Sequence, residues 1–315
     1  MLQYLIILLD DTSPSYCHYE NGSIKRRIIS IDTLRQGIRF GMMENLMIQY
    51  VYPNYELPVE YKKVIESIDH SKIKTYPDIS EWKVNDADVL ILNNFRQIEK
   101  VDVPIVLRIN KEELYDSKDK IAELLSKTPR LNIVLNDVET FTDKDFDEYQ
   151  IFLQNISEVL EKMYAYGKSP QLNLLTDRMM LKKMNNCGAG ETNITLAPNG
   201  KFYICPAFYY ENESNCIGDL ENGLNIQNKQ LYKIEYAPIC RHCDAYQCKR
   251  CIWLNRKTTL EVNTPSHEQC VLAHIERKVS KDLLERLHKH SLLSNIEEIG
   301  NIDYLDPFEK RNKWQ

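Results

Sequence analysis

The chain has 315 residues, a formal charge of −6 and 43% hydrophobic residues, which is long enough for one large domain or two modest ones and apolar enough for a buried core. The acidic balance gives no grounds for nucleic acid as a partner. The apolar start, Met1 to Leu9, is too short to span a bilayer and lacks the basic opening and cleavage site of a signal peptide, so no membrane is expected and the cytoplasm is the expected compartment.

The chain opens on an apolar run, residues 2–9, that reads as a buried strand ending at Asp10-Asp11. A helix follows over 31–45, with Ile31, Leu34, Ile38 and Met42 on one face. Strands are predicted over 47–52, 89–92, 104–109, 131–135 and 171–175, and helices over 58–68, 111–126 and 143–166. Strands that are apolar without alternation, interleaved with helices, imply a parallel sheet covered by helices, as an open sheet or a partial barrel. With 10 glycines in all and neither a GxGxxG nor a P-loop, the chain has little material for a phosphate cradle.

Ligands of such folds sit at the carboxyl ends of strands. The first strand end offers Asp10, Asp11, Cys17 and His18, and Glu56 lies after the second strand. These are the candidate acid, base or nucleophile positions. The plain alternative is a solvated loop with an acidic cap and an incidental cysteine.

Eight of the nine cysteines fall between Cys187 and Cys270. The segment from Thr192 to Cys205 reads as a β-hairpin turning at Pro198-Asn199-Gly200. The densest run is Cys240-Arg-His-Cys243-Asp-Ala-Tyr-Gln-Cys248-Lys-Arg-Cys251, two CxxC pairs separated by four residues. Cys270 opens a predicted helix from Val271 to His290. In a reducing compartment these thiols are expected to bind metal rather than pair as disulfides. Structural zinc uses CxxC pairs, but normally with a longer loop between them, and eight cysteines exceed one zinc site. Iron–sulfur clusters use the same spacing, and seven or eight thiolates would serve two of them. Arg241, Lys249 and Arg250 either compensate thiolate and cluster charge or form a solvated face. His242 reads as a supporting donor or a surface residue, and Arg178 as a structural salt-bridge residue.

The order Cys187, Gly200-x4-Cys205, the CxxC run and Cys270 resembles the SPASM domain, which holds auxiliary 4Fe-4S clusters in radical SAM peptide-modifying enzymes. The resemblance covers residues 185–275, with Cys243-x4-Cys248 and Cys248-x2-Cys251 each one residue tighter than the usual pattern. It implies that Cys187, Cys205 and Cys251 hold a first cluster, with Cys216 or an open site in fourth place. It implies that Cys240, Cys243, Cys248 and Cys270 hold a second. Residues 1–184 then look like a radical SAM partial (βα)6 barrel, and 276–315 a C-terminal helix and tail. Where that family carries Cx3Cx2C, this chain has Asp10, Pro14 and Cys17. Val51 to Pro58, in place of a glycine-rich stretch, contains no glycine. The expectation is therefore a degenerate barrel that has lost SAM cleavage, with no SAM-binding residues.

The whole chain is similar to the CXXX repeat peptide maturase family, through Leu5–Thr12, Cys17-His-Tyr, Asn173–Arg178, Cys187–Gly190 and Ala237–Cys251. This implies a role in maturing ribosomally made peptides, with a cysteine-rich precursor peptide and a separate radical SAM maturase as partners. Three functions follow: an iron–sulfur protein assisting the partner, an enzyme with a repurposed barrel pocket, or a zinc-stabilised peptide-binding protein.

Overall fold

The structure is a computed structural model that describes residues 1–20, 26–76 and 86–300. In chain order the elements are β1 (Tyr4–Leu8), α1 (Ile31–Met43), β2 (Met47–Val51), α2 (Val59–Ile65), β3 (Ser71–Thr75), β4 (Val89–Leu92) and β5 (Ile105–Ile109). There follow α3 (Lys111–Tyr115), α4 (Lys118–Lys127), β6 (Arg130–Leu135), α5 (Asp143–Ala165), β7 (Gln171–Leu172) and α6 (Thr176–Met180). The last elements are β8 (Asn193–Leu196), β9 (Phe202–Tyr203), α7 (Pro206–Glu211), β10 (Gly218–Asp219), β11 (Gly223–Leu224), α8 (Ile252–Thr259) and α9 (His267–Lys289). They group into two units.

The first unit comprises Met1–Asn93, Val103–Arg108 and Gly188–Tyr236. Its parallel strands lie in the order β5-β4-β3-β2-β1-β8, and β9 pairs antiparallel with β8. Leu5 to Leu9 are buried, as a parallel strand covered on both faces requires. The helix α1 starts at Ser30, whose hydroxyl accepts from the Thr33 N–H, and buries Leu34, Gly37, Ile38 and Gly41. The predicted hairpin forms, and Gly200 takes the left-handed turn position at φ 78°. Because β8 pairs with β1, this segment groups with strands β1 to β5 of the first unit.

Three strands escaped the sequence reading, the two-residue β10 and β11 and the longer β3. β3, Ser-Lys-Ile-Lys-Thr, carries two lysines where its parallel neighbours are apolar. Both are satisfied by Asp86, at 2.6 Å from Lys72 and 2.8 Å from Lys74, and Lys74 lies 4.6 Å from the centre of the Tyr52 ring. The charge is thus paired at the strand, and an apolar run is unnecessary.

The second unit comprises Asn94–Asp102, Ile109–Cys187 and the chain from Ala237 onward. Here β6 pairs in parallel with β7. The helix predicted over 111–126 is broken at Asp116 and Ser117, where the Ser117 hydroxyl and amide both donate to the Leu114 carbonyl. The long helices α5 and α9 pack together. α5 contributes Tyr149, Phe152, Leu153, Ile156 and Leu160, and α9 contributes Leu272, Val279, Leu283 and Leu287. Arg286 of α9 donates to Glu161 and Ser157 of α5, at 2.6 and 2.7 Å. The tail expected up to residue 315 lies outside the described residues after Gly300. No described helix is long and apolar enough to cross a membrane.

Candidate metal centre

Four of the predicted ligands, Cys240, Cys243, Cys248 and Cys270, line one cavity of about 310 Å³ in the second unit, together with Arg250 and His274. Local turns put them there. Cys240 to His242 form a single 3-10 turn, closed by the Cys243 N–H donating to the Cys240 carbonyl at 3.2 Å. Cys270 stands in the first turn of α9, where its N–H donates to the carbonyl of the capping residue Ser266 at 3.2 Å. The Ala245 N–H donates to Cys243 Sγ and the Arg250 N–H to Cys248 Sγ, each at 3.4 Å. Amide donors two residues beyond a cysteine stabilise sulfur as an anion, the form in which it binds metal.

Burial acts the other way. It pushes the Cys240 thiol up to about 11, against the pull of Arg250, and the Cys248 thiol up to about 12. Burial also raises Cys243. These sulfurs therefore hold their protons at neutral pH unless a cation displaces them, so a metal bound at this cavity would release protons. The donor set fits an iron–sulfur cluster or zinc by its chemistry. Among the described residues no group of three or more His, Cys, Asp or Glu converges closely enough to hold a single ion. The four sulfurs instead belong to the wall of a shared space.

The cysteine run is bolted to α9 through its intervening residues. Asp244, buried, accepts two bonds from Arg277 of α9, both 2.6 Å, and one from Arg178 at 2.9 Å. Burial alone would raise the Asp244 carboxyl, but the two guanidinium groups outweigh it and hold it below the usual range. Arg178 also stacks on Tyr246, 4.6 Å from the ring centre. Gln247 donates to the Ala273 carbonyl at 2.7 Å and to Glu276 at 3.2 Å, and Tyr149 donates to Glu276 at 2.8 Å. Arg178 is thus the structural salt-bridge residue the sequence suggested. Arg250 is fully buried, whereas Arg241 is exposed and Lys249 lies 3.5 Å from Asp177.

The cysteines assigned to the other cluster are divided between the units. In the second unit, exposed Cys187 donates its N–H to the Lys249 carbonyl at 3.0 Å, and buried Cys251 caps α8. In the first, Cys205 caps α7 ahead of Pro206, and Cys216 follows a short 3-10 turn; both are half-buried.

The first-unit candidates sit in a loop dense with hydrogen bonds. Asp10 is buried and accepts from the Thr12 N–H at 2.8 Å, the Thr12 hydroxyl and the Tyr55 hydroxyl at 2.9 Å. Asp11 accepts from Arg27 at 3.0 Å and from the Tyr209 hydroxyl. Burial, then the Asp11 hydrogen bond and charge, drive the Tyr209 hydroxyl well above its ordinary range, so it stays a donor. Buried Ser13 and Ser15 donate to the Val51 and Tyr19 carbonyls. Arg108, at the end of β5, donates to the carbonyls of Cys17 and Tyr19, each at 2.8 Å. Cys17 and His18 are half-buried in the same loop, and exposed Glu56 pairs with Lys62. Arg27, Arg108 and Tyr209 were not singled out from the sequence, because each meets this loop from a distant stretch of chain.

No family model matches this sequence, and no curated protein matches it. Among solved structures the chain is similar to anSMEcpe, solved with bound AdoMet and with AdoMet and peptide. Native anSMEcpe with bound AdoMet and Cp18Cys peptide matches with a TM-score of 0.65 at 13% identity, over 91% of this chain and 99% of that one. The same protein with AdoMet matches with a TM-score of 0.61 at 11% identity, over 91% and 100%. With the Kp18Cys peptide the TM-score is 0.57 at 12% identity, over 91% and 99%. The chain therefore shares the fold of anSMEcpe, mixed α/β with a mostly parallel sheet.

Proposed function

We propose that this is an iron–sulfur protein of ribosomal peptide maturation, which binds a cysteine-rich precursor peptide and assists a partner radical SAM maturase. The observation that carries the reading is the cavity shared by Cys240, Cys243, Cys248 and Cys270. A single zinc ion needs its donors gathered at one point, whereas a cubane takes one thiolate per iron around a body of several atoms. Four cysteines lining one cavity, with amide N–H groups donating to two of their sulfurs, support the cluster. A bound cluster would supply one-electron transfer. The chain holds its ligand loop in place through Asp244, which Arg277 and Arg178 both grip.

Cys187, Cys205 and Cys251, with Cys216 or an open position, form the first cluster in this reading. Asp10 and Asp11 organise the first-strand loop by hydrogen bonds where a SAM-binding cluster would otherwise organise it, which supports the loss of SAM cleavage. The CXXX repeat maturase resemblance supplies the class of substrate. The fold neighbours with bound peptide support a peptide-binding role.

Anaerobic purification followed by iron and sulfide quantification tests this. Iron, acid-labile sulfide and a broad absorbance near ~400 nm are expected. Cys270→Ala and Cys251→Ala should each remove a different share of the iron. Colourless protein carrying stoichiometric zinc would sink the cluster reading. Product formed from the precursor by this protein alone would favour a repurposed barrel site at Asp10, Asp11, Cys17, His18 or Glu56.

A further inference from the structure

Besides its four cysteines, the cavity is lined by four nitrogen-bearing side chains, His242, Arg250, Gln269 and His274, none of which the ligand assignment uses. His274 lies one helical turn after Cys270 on α9, so the helix that presents the thiolate also presents the imidazole on the same face. Its Nε2 lies 3.8 Å from Cys243 Sγ, the range of a nitrogen–sulfur hydrogen bond. Arg250 enters the same cavity fully buried, from a backbone in the left-handed region at φ 42°. A β-carbon-bearing residue adopts that conformation only where the surroundings enforce it. Here the Arg250 N–H donates to Cys248 Sγ and its side chain lines the cavity.

Resting on the cluster reading above, we propose that His274 is a positioning residue of this centre. Its Nε2–H donates to the metal-bound Cys243 sulfur and, with the Arg250 guanidinium, draws negative charge from the cluster and raises its reduction potential. A metal-bound thiolate has lone pairs and no proton, so in this contact the sulfur accepts and the ring donates, which fixes the imidazole tautomer. Hydrogen bonds to ligand sulfur, and net charge nearby, are among the main determinants of cluster potential. Reduction adds one electron to the cluster. A donor and a cation at its edge stabilise that added charge more than they stabilise the oxidised state.

An EPR-monitored redox titration of the anaerobically purified full chain tests this, alongside iron and sulfide content. The signal to follow is the one absent in Cys270→Ala. In His274→Ala the iron content should match the parent while that midpoint moves to a more negative potential. His274→Gln, which restores an N–H donor without the ring, should move it back towards the parent. An unchanged midpoint in His274→Ala at full iron content would overturn the proposal. So would loss of that cluster's iron in both variants, which would make His274 a ligand or a packing residue. A parent protein without iron would fail at the first measurement, and with it the cluster reading itself.

Discussion

Asp244 carries more structural weight than any other charged residue of the cysteine run. It is buried between Arg277 and Arg178, and its removal leaves two guanidinium groups without their shared carboxylate. Breaking a buried ion pair on one side costs about 3–5 kcal/mol. Asp244→Ala should therefore lower the urea midpoint by a corresponding amount, and Asp244→Asn by less. Glu276 shows the opposite arrangement. Burial lifts its carboxyl from 4.5 to about 7, although Tyr149 and Gln247 both donate to it. Its folded value lies above its unfolded one, so its contribution to stability is full below pH 4.5 and is lost as pH rises through about 7. A shift of that size corresponds to at most on the order of 3 kcal/mol. Glu276→Gln never ionises, so its stability relative to the parent should rise from pH 5 to pH 8 in thermal unfolding. Sequence alone pointed to the Arg178 salt bridge, because an arginine at a strand end commonly finds one. It gave no reason to single out His274, whose place four residues after Cys270 acquires meaning only once the cavity is known.

At the scale of elements, α1 lies close on the sheet because two of its inward positions are glycine. A β-carbon on Gly37 would stand 2.3 Å from Leu196 Cδ2 of β8, and one on Gly41 2.8 Å from Ile48 of β2. Gly37→Ala should destabilise the protein by about 1–3 kcal/mol, since overpacking outweighs the better helix propensity of alanine. Gly37→Val should cost more. Chemical denaturation with both variants checks the order, and equal stability of all three proteins would show that β8 yields freely. The apolar strands β1, β2, β4 and β5 were readable because burial on both faces leaves an unbroken hydrophobic run. β3 was not, because Asp86, outside the strand, neutralises the lysines that disguise it. The break between α3 and α4 was also hidden, since it depends on Ser117 folding back onto Leu114 rather than on a proline or glycine.

For the whole molecule, the cysteine spacing grouped four residues that line one cavity, without showing what else lines it. Cys240, Cys243, Cys248 and Cys270 were grouped by resemblance, and the cavity they line also contains Arg250 and His274. The sequence left the role of Arg250 open between charge compensation and a solvated surface. Full burial decides against the surface. The overall fold was legible because its evidence is distributed along the chain, whereas the site depends on a few contacts between distant residues.

The clasp formed by Arg108 on the carbonyls of Cys17 and Tyr19 has a consequence for how the protein ages in air. On the cluster reading, oxygen attacks the iron–sulfur centre, and a ligand loop that loses its metal loses part of its fold with it. The stretch from Asp10 to Glu20 is fastened by arginine, serine and aspartate, none of which oxygen readily consumes. After aerobic storage, limited proteolysis should therefore cut first between Cys240 and Cys270 and spare the early loop. Arg108→Ala should reverse that preference, opening the early loop to protease even in protein kept strictly anaerobic.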